Sequence, residues 1–217
     1  MNEFMYAQRE IGDYRISVYY DDNASCPYED FDEVGLFLYE TCRSHFLAGN
    51  TESVWLSRTL EGALRDLVWK YVDLPDETSP QDLEKDELID LLNSQEDLAF
   101  IEWTSRGYCQ GDYVYGVAFC TEERFKQMVD TNMTDWRKRA IKLMRAEVKE
   151  ISMWLWGDVK CFTLEKRIRF TKVYKDEESD PEDCEEWKEI ERTYDIFTED
   201  AEDVINDVIA EYGLKDS

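Results

Sequence analysis

Leu98-Ala99-Phe100-Ile101-Glu102-Trp103 and Tyr113-Val114-Tyr115-Gly116-Val117-Ala118-Phe119 flank the connection Arg106-Gly107-Tyr108-Cys109-Gln110-Gly111-Asp112. Each flank is a short apolar run rich in β-branched and aromatic side chains, and two glycines supply the turn between them. The stretch reads as a β-hairpin, which makes the sheet antiparallel. Downstream, a short helix is predicted after Thr121. A long helix is predicted from Thr134 to Trp156, with Trp136, Ala140, Leu143, Met144, Ile151, Trp154 and Leu155 on one face and Gly157 as its stop. Val159–Leu164 and Arg167–Tyr174 are further strand candidates. Thr198 is placed as the cap of a last helix to Tyr212, whose Ala201, Val204, Ile205, Val208, Ile209 and Tyr212 repeat at the helical period.

Upstream, Tyr14–Tyr20 reads as a strand ending at Asp21-Asp22-Asn23. Val34, Phe37, Leu38, Cys42 and Leu47 suggest a helix over 31–47, ended by Gly49-Asn50. A second helix is predicted over Ser57–Val72. Ser79-Pro80-Gln81-Asp82, with a cap, a proline at the first helical position and an acid, opens another to about Leu92. The pattern is α+β: an antiparallel sheet of about four to five strands with helices packed against it, without strict βαβ alternation. Residues 1–174 form the expected core domain. Residues 175–217 form an acidic segment with a C-terminal amphipathic helix that can pack on it. Lys175–Asp183 is read as a linker or a long acidic loop.

The chain has 217 residues, with 51 Asp and Glu against 25 Lys and Arg, a net charge of −26. Hydrophobic residues make up 43% and aromatics 14%, enough to bury a core despite the charge. Such a surface repels nucleic-acid phosphates and anionic lipid, so neither is an expected direct partner. No apolar run reaches the roughly 18 residues of a membrane helix, and Met1–Tyr6 lacks the basic and apolar regions of a signal peptide; the expected location is cytoplasmic.

Cys26, Cys42, Cys109, Cys120, Cys161 and Cys184 contain no close pair of the kind a tetrahedral zinc site needs, and are read as free thiols. The single histidine, His45, stands outside any catalytic motif and is read as structural. Phosphate-binding loops, dinucleotide fingerprints, nucleophile elbows and zinc-protease motifs are absent from the sequence. No catalytic residue, metal ligand or cofactor is therefore predicted. Asp21, Asp22, Asp30 and Asp32 have the oxygen chemistry for a hard cation but fit no EF-hand spacing.

The negative charge is concentrated. Residues 73–102 carry eleven acids and one base, Lys85, and residues 176–203 carry fifteen acids and two bases, Lys188 and Arg192. Residues 134–172 carry five acids and eleven bases. Three rows follow as candidate partner-binding residues. The first is Asp82, Glu84, Asp86, Glu87 and Asp90. The second is Asp176, Glu177, Glu178, Asp180, Glu182, Asp183, Glu185 and Glu186. The third is Asp200, Asp203, Asp207 and Glu211, which step by three and four along one side of the last helix, read as opposite its apolar stripe. Like charges at that spacing cost a few tenths of a kcal/mol per pair. The bland reading is a solvated face. The sharper one is that carboxylates on a helix rising 1.5 Å per residue imitate a phosphate track that advances about 3.4 Å per nucleotide of one strand.

Three stretches carry a resemblance: Tyr20–Gly35 (YDDNASCPYEDFDEVG), Ser105–Tyr113 (SRGYCQGDY), and Arg145–Ile151 with Trp156-Gly157-Asp158-Val159. Together, over about residues 14–165, they resemble an uncharacterised family of small acidic proteins encoded by bacteriophages and related mobile elements. Cys26 before Pro27, Cys109 in place of a serine and Lys160 in place of a tyrosine depart from that pattern. The resemblance implies a mobile-element origin and action in the host cytoplasm, and supplies no active site. That context favours an anti-defence role.

The expectation is a non-enzymatic anti-defence inhibitor, of anti-CRISPR or antirestriction type. It would bind the Lys/Arg-lined groove of a nucleic-acid-handling host protein as a mimic of DNA or RNA. One alternative is an acidic adaptor that binds a host protein through Trp55, Trp69 or Trp187. Another is an enzyme with paired carboxylates and magnesium. The Gly107–Asp112 loop could offer Tyr108, Gln110 and Asp112 to a ligand, but is read first as a tight hairpin.

Overall fold

The computed structural model describes residues 5–30, 33–41, 47–51, 57–107, 112–129, 134–173 and 181–215. In chain order the elements begin β1 (Met5–Ile11), β2 (Tyr14–Tyr20), α1 (Pro27–Asp30), β3 (Leu36–Thr41), β4 (Leu47–Gly49), α2 (Leu60–Tyr71) and α3 (Lys85–Ser94). They continue with β5 (Leu98–Arg106), β6 (Tyr113–Thr121), α4 (Glu122–Val129), α5 (Trp136–Trp156), β7 (Lys160–Lys172), β8 (Glu182–Ile196) and α6 (Ala201–Tyr212). The fold is the expected α+β, with helices packed against antiparallel sheets, of which there are two, each of four strands.

The chain divides into two compact units, Met1–Ser25 with Met153–Ser217, and Cys26–Ser152. The division falls at these two points and not after residue 174. The acidic C-terminal segment is part of the first unit because β8 pairs along β7 from Lys160↔Ile196 to Lys172↔Glu182.

In the first unit the sheet order is β1-β2-β7-β8. The alternating pairs Ile16↔Leu164 and Val18↔Phe162 put four apolar side chains on one face. Ala201, Val204, Ile205 and Val208 of α6 close over them. Each large aliphatic side chain buried there contributes about 1.5–3 kcal/mol of transfer free energy. In place of the two strands expected over Val159–Leu164 and Arg167–Tyr174 there is one continuous β7, Lys160–Lys172, that bulges against β8 near Leu164 and Glu165, and Tyr174 lies outside the described residues. α6 starts at Ala201 with Asp200, not Thr198, as its cap, because the Asp200 side chain accepts from the Glu202 amide.

In the second unit the order is β4-β3-β6-β5, and β5 and β6 form the expected hairpin in register Leu98↔Thr121 to Arg106↔Tyr113. Leu64 and Val68 of α2 and Leu88 and Leu92 of α3 pack with Leu38, Leu98, Phe100, Val117 and Phe119. The helix expected over 31–47 is instead β3 and β4, with 42–46 outside the described residues. Phe37, Leu38 and Tyr39 are buried in succession because β3 lies between β4 and β6 with both faces covered. Gly49, at φ 149°, brings β4 against β3; a Cβ there would meet the Phe37 carbonyl oxygen at 1.8 Å. Ser79 caps only a 3₁₀ turn, Pro80–Asp82, and the α-helix begins at Lys85. Gly157, at φ 69°, ends α5 in a left-handed turn in which the Asp158 amide reaches back to the Met153 carbonyl.

Candidate partner-binding surface

The expected acid rows are divided between the two units. Asp82, Glu84, Asp86, Glu87 and Asp90 belong to the second unit, and every described member of the other two rows belongs to the first. Within the first unit, β8 meets Arg169 at Glu185, whereas α6 covers Phe162 and Leu164. Seven residues of strand, about 23 Å, separate Phe162 from Arg169. Asp176, Glu177, Glu178 and Asp180 lie outside the described residues.

On α3, burial of Leu88, Ile89 and Leu92 turns Asp86, Glu87 and Asp90 outward. Glu84 and Glu87 form a reciprocal capping box, the Glu84 amide donating to the Glu87 carboxylate at 2.9 Å. They therefore hold the helix end, while Asp82, Asp86 and Asp90 make no ion pair with a described residue. Lys85 is placed 3.4 Å from the centre of the Tyr115 ring. This face keeps its negative charge.

The β8 row is partly neutralised. Arg169 donates to Glu185 at 2.7 Å and the Thr171 hydroxyl donates to Asp183 at 2.9 Å. Glu182 and Glu186 share the exposed edge strand with them. Trp187, on the same strand, is half-buried between the guanidinium groups of Arg15 and Arg167, whose central carbons lie 4.5 and 4.8 Å from the ring centre. Trp69 on α2 is 78% exposed, and Trp55 lies outside the described residues.

On α6, Asp200 is spent on the cap, while Asp203, Asp207 and Glu211 are exposed and make no ion pair with a described residue. Asp203 stands nearly opposite the buried Ala201, Val204, Ile205 and Val208, and the row winds from there through Asp207 to Glu211 at the edge of that stripe. The three acids line a cleft of about 140 Å³ with Phe162, Ile196, Val204 and Val208. The α3 row also borders an apolar groove, of about 460 Å³. Nothing in the spacing of the acids announced these neighbours, since Ile196 and Phe162 reach α6 only through the sheet. Cationic side chains gather on α5, where Lys138, Lys142 and Arg145 line a separate groove of about 780 Å³.

A buried carboxyl pair stands apart from these rows. Glu147 on α5 accepts from the Val34 amide at 2.8 Å and the Gly35 amide at 2.9 Å, and Glu33 is buried against it. Burial, with the Glu147 charge and hydrogen bond, pushes the Glu33 carboxyl up to about 8. Burial and Glu147 raise Glu150 as well. Both Glu147 oxygens serve the backbone, so the pair latches the lead into β3 onto α5. Arg124 completes the latch by donating to the Glu33 and Val34 carbonyls at 2.7 and 2.9 Å.

The Asp21 carboxylate is likewise committed to backbone amides, those of Asn23 and Asp195. Asp22 is exposed, and the Asp30 side chain and Asp32 lie outside the described residues. Among the described residues no cluster of three His, Cys, Asp or Glu could hold a metal ion. Cys26, Cys120, Cys161 and Cys184 are in no disulfide, while Cys42, His45 and Cys109 are not described. In the hairpin loop the Gly107 amide donates to the Asp112 carbonyl at 3.0 Å, and 108–111 are not described. No helix among the described residues is long and apolar enough to cross a membrane. A scan against protein-family models finds no match, and neither a curated protein nor a solved structure matches the chain.

Proposed function

We propose that the protein acts by binding, as an anti-defence inhibitor of bacteriophage type in the host cytoplasm. Its acidic faces occupy the Lys/Arg-lined groove of a nucleic-acid-handling host enzyme, a CRISPR effector or restriction system, in place of phosphates. The observation that carries this reading is the set of exposed carboxylates without a described ion-pair partner: Asp82 in the 3₁₀ turn before α3, Asp86 and Asp90 on α3, and Asp203, Asp207 and Glu211 on α6. In a chain of charge −26 they attract a cationic groove at long range and speed encounter. The β8 row contributes less, because Arg169 and Thr171 already engage Glu185 and Asp183.

The experiment is capture of bacterial proteins on the immobilised chain at low salt and at roughly 0.5 M salt, where exposed charge pairs are screened. A nucleic-acid-binding enzyme held at low salt, released at high salt and lost with the triple variant Asp82→Lys, Asp86→Lys, Asp90→Lys is the expected result. A captured enzyme indifferent to both salt and the variant excludes the α3 row. The exposure of Trp69 favours a second reading, an adaptor that grips a host protein by an aromatic anchor. That reading predicts salt-resistant capture abolished by Trp69→Ala.

A further inference from the structure

Leu74, Pro75, Leu83 and Leu91 line the groove beside α3, and Glu87 and Asp90 stand on its edge. Leu74, Leu83 and Leu91 pack against the core of the second unit but remain half-buried. Apolar surface is thus left open inside the most acidic stretch of that unit. A phosphate mimic needs charge alone, and an apolar floor facing water contributes nothing to it. The same pairing recurs at α6, where Asp203, Asp207 and Glu211 edge the smaller apolar cleft.

We infer that the α3 groove seats an apolar side chain of a cationic protein segment, a leucine or aromatic flanked by Lys or Arg, with Glu87 and Asp90 meeting the flanking charges. Charge complementarity selects this occupant. Nucleic acid and anionic lipid are repelled by the rim, and a second copy of the chain carries the same net charge of −26. The inference rests on the proposed protein-binding role and adds to it a contact that salt does not screen. A groove of about 460 Å³ is large enough for one such side chain and part of its backbone.

The test uses the full chain, labelled with nitrogen-15, and two synthetic peptides. One has a tryptophan flanked on each side by two lysines, and the other has serine in place of the tryptophan. The tryptophan peptide is expected to shift amides of residues 74–94 and to bind about tenfold or more tightly than its serine counterpart. That ratio is expected to persist at roughly 0.5 M salt while both affinities fall. Ser94→Phe, which fills the groove from an exposed helix end, should abolish the preference, and Thr78→Phe should do the same from the opposite wall. Asp90→Asn should weaken both peptides alike. Equal affinities, no binding by either peptide, or a preference that survives both filling variants would overturn the inference. Those outcomes leave capture of a nucleic-acid enzyme by charge alone intact. Conversely, groove binding with no such enzyme captured overturns only the proposed target class.

Discussion

Asp21 and Asp195 each satisfy backbone at the other's end of the sheet. The Asp21 carboxylate accepts from the Asp195 amide at 3.0 Å, and the Asp195 carboxylate accepts from the Ser25 amide at 2.6 Å. Asp195 does so at φ 57°, a left-handed conformation in which Asn and Asp are the best tolerated side chains after glycine. This clasp ties the end of β2 to the end of β8. It predicts a graded series in urea unfolding. Asp195→Asn, which keeps both the conformation and an acceptor, should stay within about 0.5 kcal/mol of wild type. Asp195→Gly relieves the backbone but strands the Ser25 amide, and should cost about 1 kcal/mol. Asp195→Ala loses on both counts and should cost about 2–3 kcal/mol.

The Glu33–Glu147 latch sets a pH dependence. The Glu33 carboxyl is raised from its ordinary value to about 8 by burial and by Glu147, so between roughly pH 4.5 and 8 the folded chain holds a proton that the unfolded chain has released. Stability must therefore fall as pH rises through that window, and Glu150, raised in the same direction, adds to the slope. Glu33→Gln, which still donates to Glu147 without ionising, should flatten the slope and be the more stable protein at pH 8–9. Denaturation midpoints measured from pH 5 to 9 decide it, and parallel curves for the two proteins would remove Glu33 as the cause.

Gly116 in β6 lies under the Trp103 indole. A Cβ at this position would stand 2.6 Å from Trp103 Cε2 and 2.7 Å from Tyr39 Cβ. Gly116→Ala should therefore overpack the sheet and cost about 1–3 kcal/mol, read as a lower thermal midpoint. Trp103→Phe in the same background should recover part of the loss, because the smaller ring makes room.

Asp203, Asp207 and Glu211 repel one another along α6. Asp207→Asn should raise stability by a few tenths of a kcal/mol while weakening partner capture. A variant stabilised with undiminished capture would mean that this row is a solvated face only.

The α+β class and the hairpin were legible because Leu98–Phe119 combines strand-forming residues with a glycine-bearing turn. The long helix and its stop were legible for a similar reason: a sustained 3.6-residue stripe leads to Gly157. Leu36–Thr41 misleads, since a buried central strand has apolar residues in succession, and their spacing to Val34 and Leu47 imitates a helix. β8 hid because, as an exposed edge strand, it has a charged sequence, Glu182-Asp183-Cys184-Glu185-Glu186, without an apolar face. The acid rows themselves were plain in the sequence. Their apolar neighbours, the pairing of Glu185 with Arg169 and the Glu33–Glu147 latch depend on contacts distant in sequence, which local periodicity does not encode.

As proposed above, the chain takes the place of nucleic acid on its target. The decisive measurement is competition on the captured enzyme: a fluorescent DNA or RNA ligand is bound to the enzyme, the chain is titrated in, and anisotropy is read at several salt concentrations. The nucleic acid is expected to be displaced, with an affinity that falls linearly in logarithmic salt, and Asp82→Lys, Asp86→Lys, Asp90→Lys is expected to abolish displacement. A ternary complex in which the enzyme holds the chain and its nucleic acid together, with anisotropy undiminished at saturation, would overturn nucleic-acid mimicry.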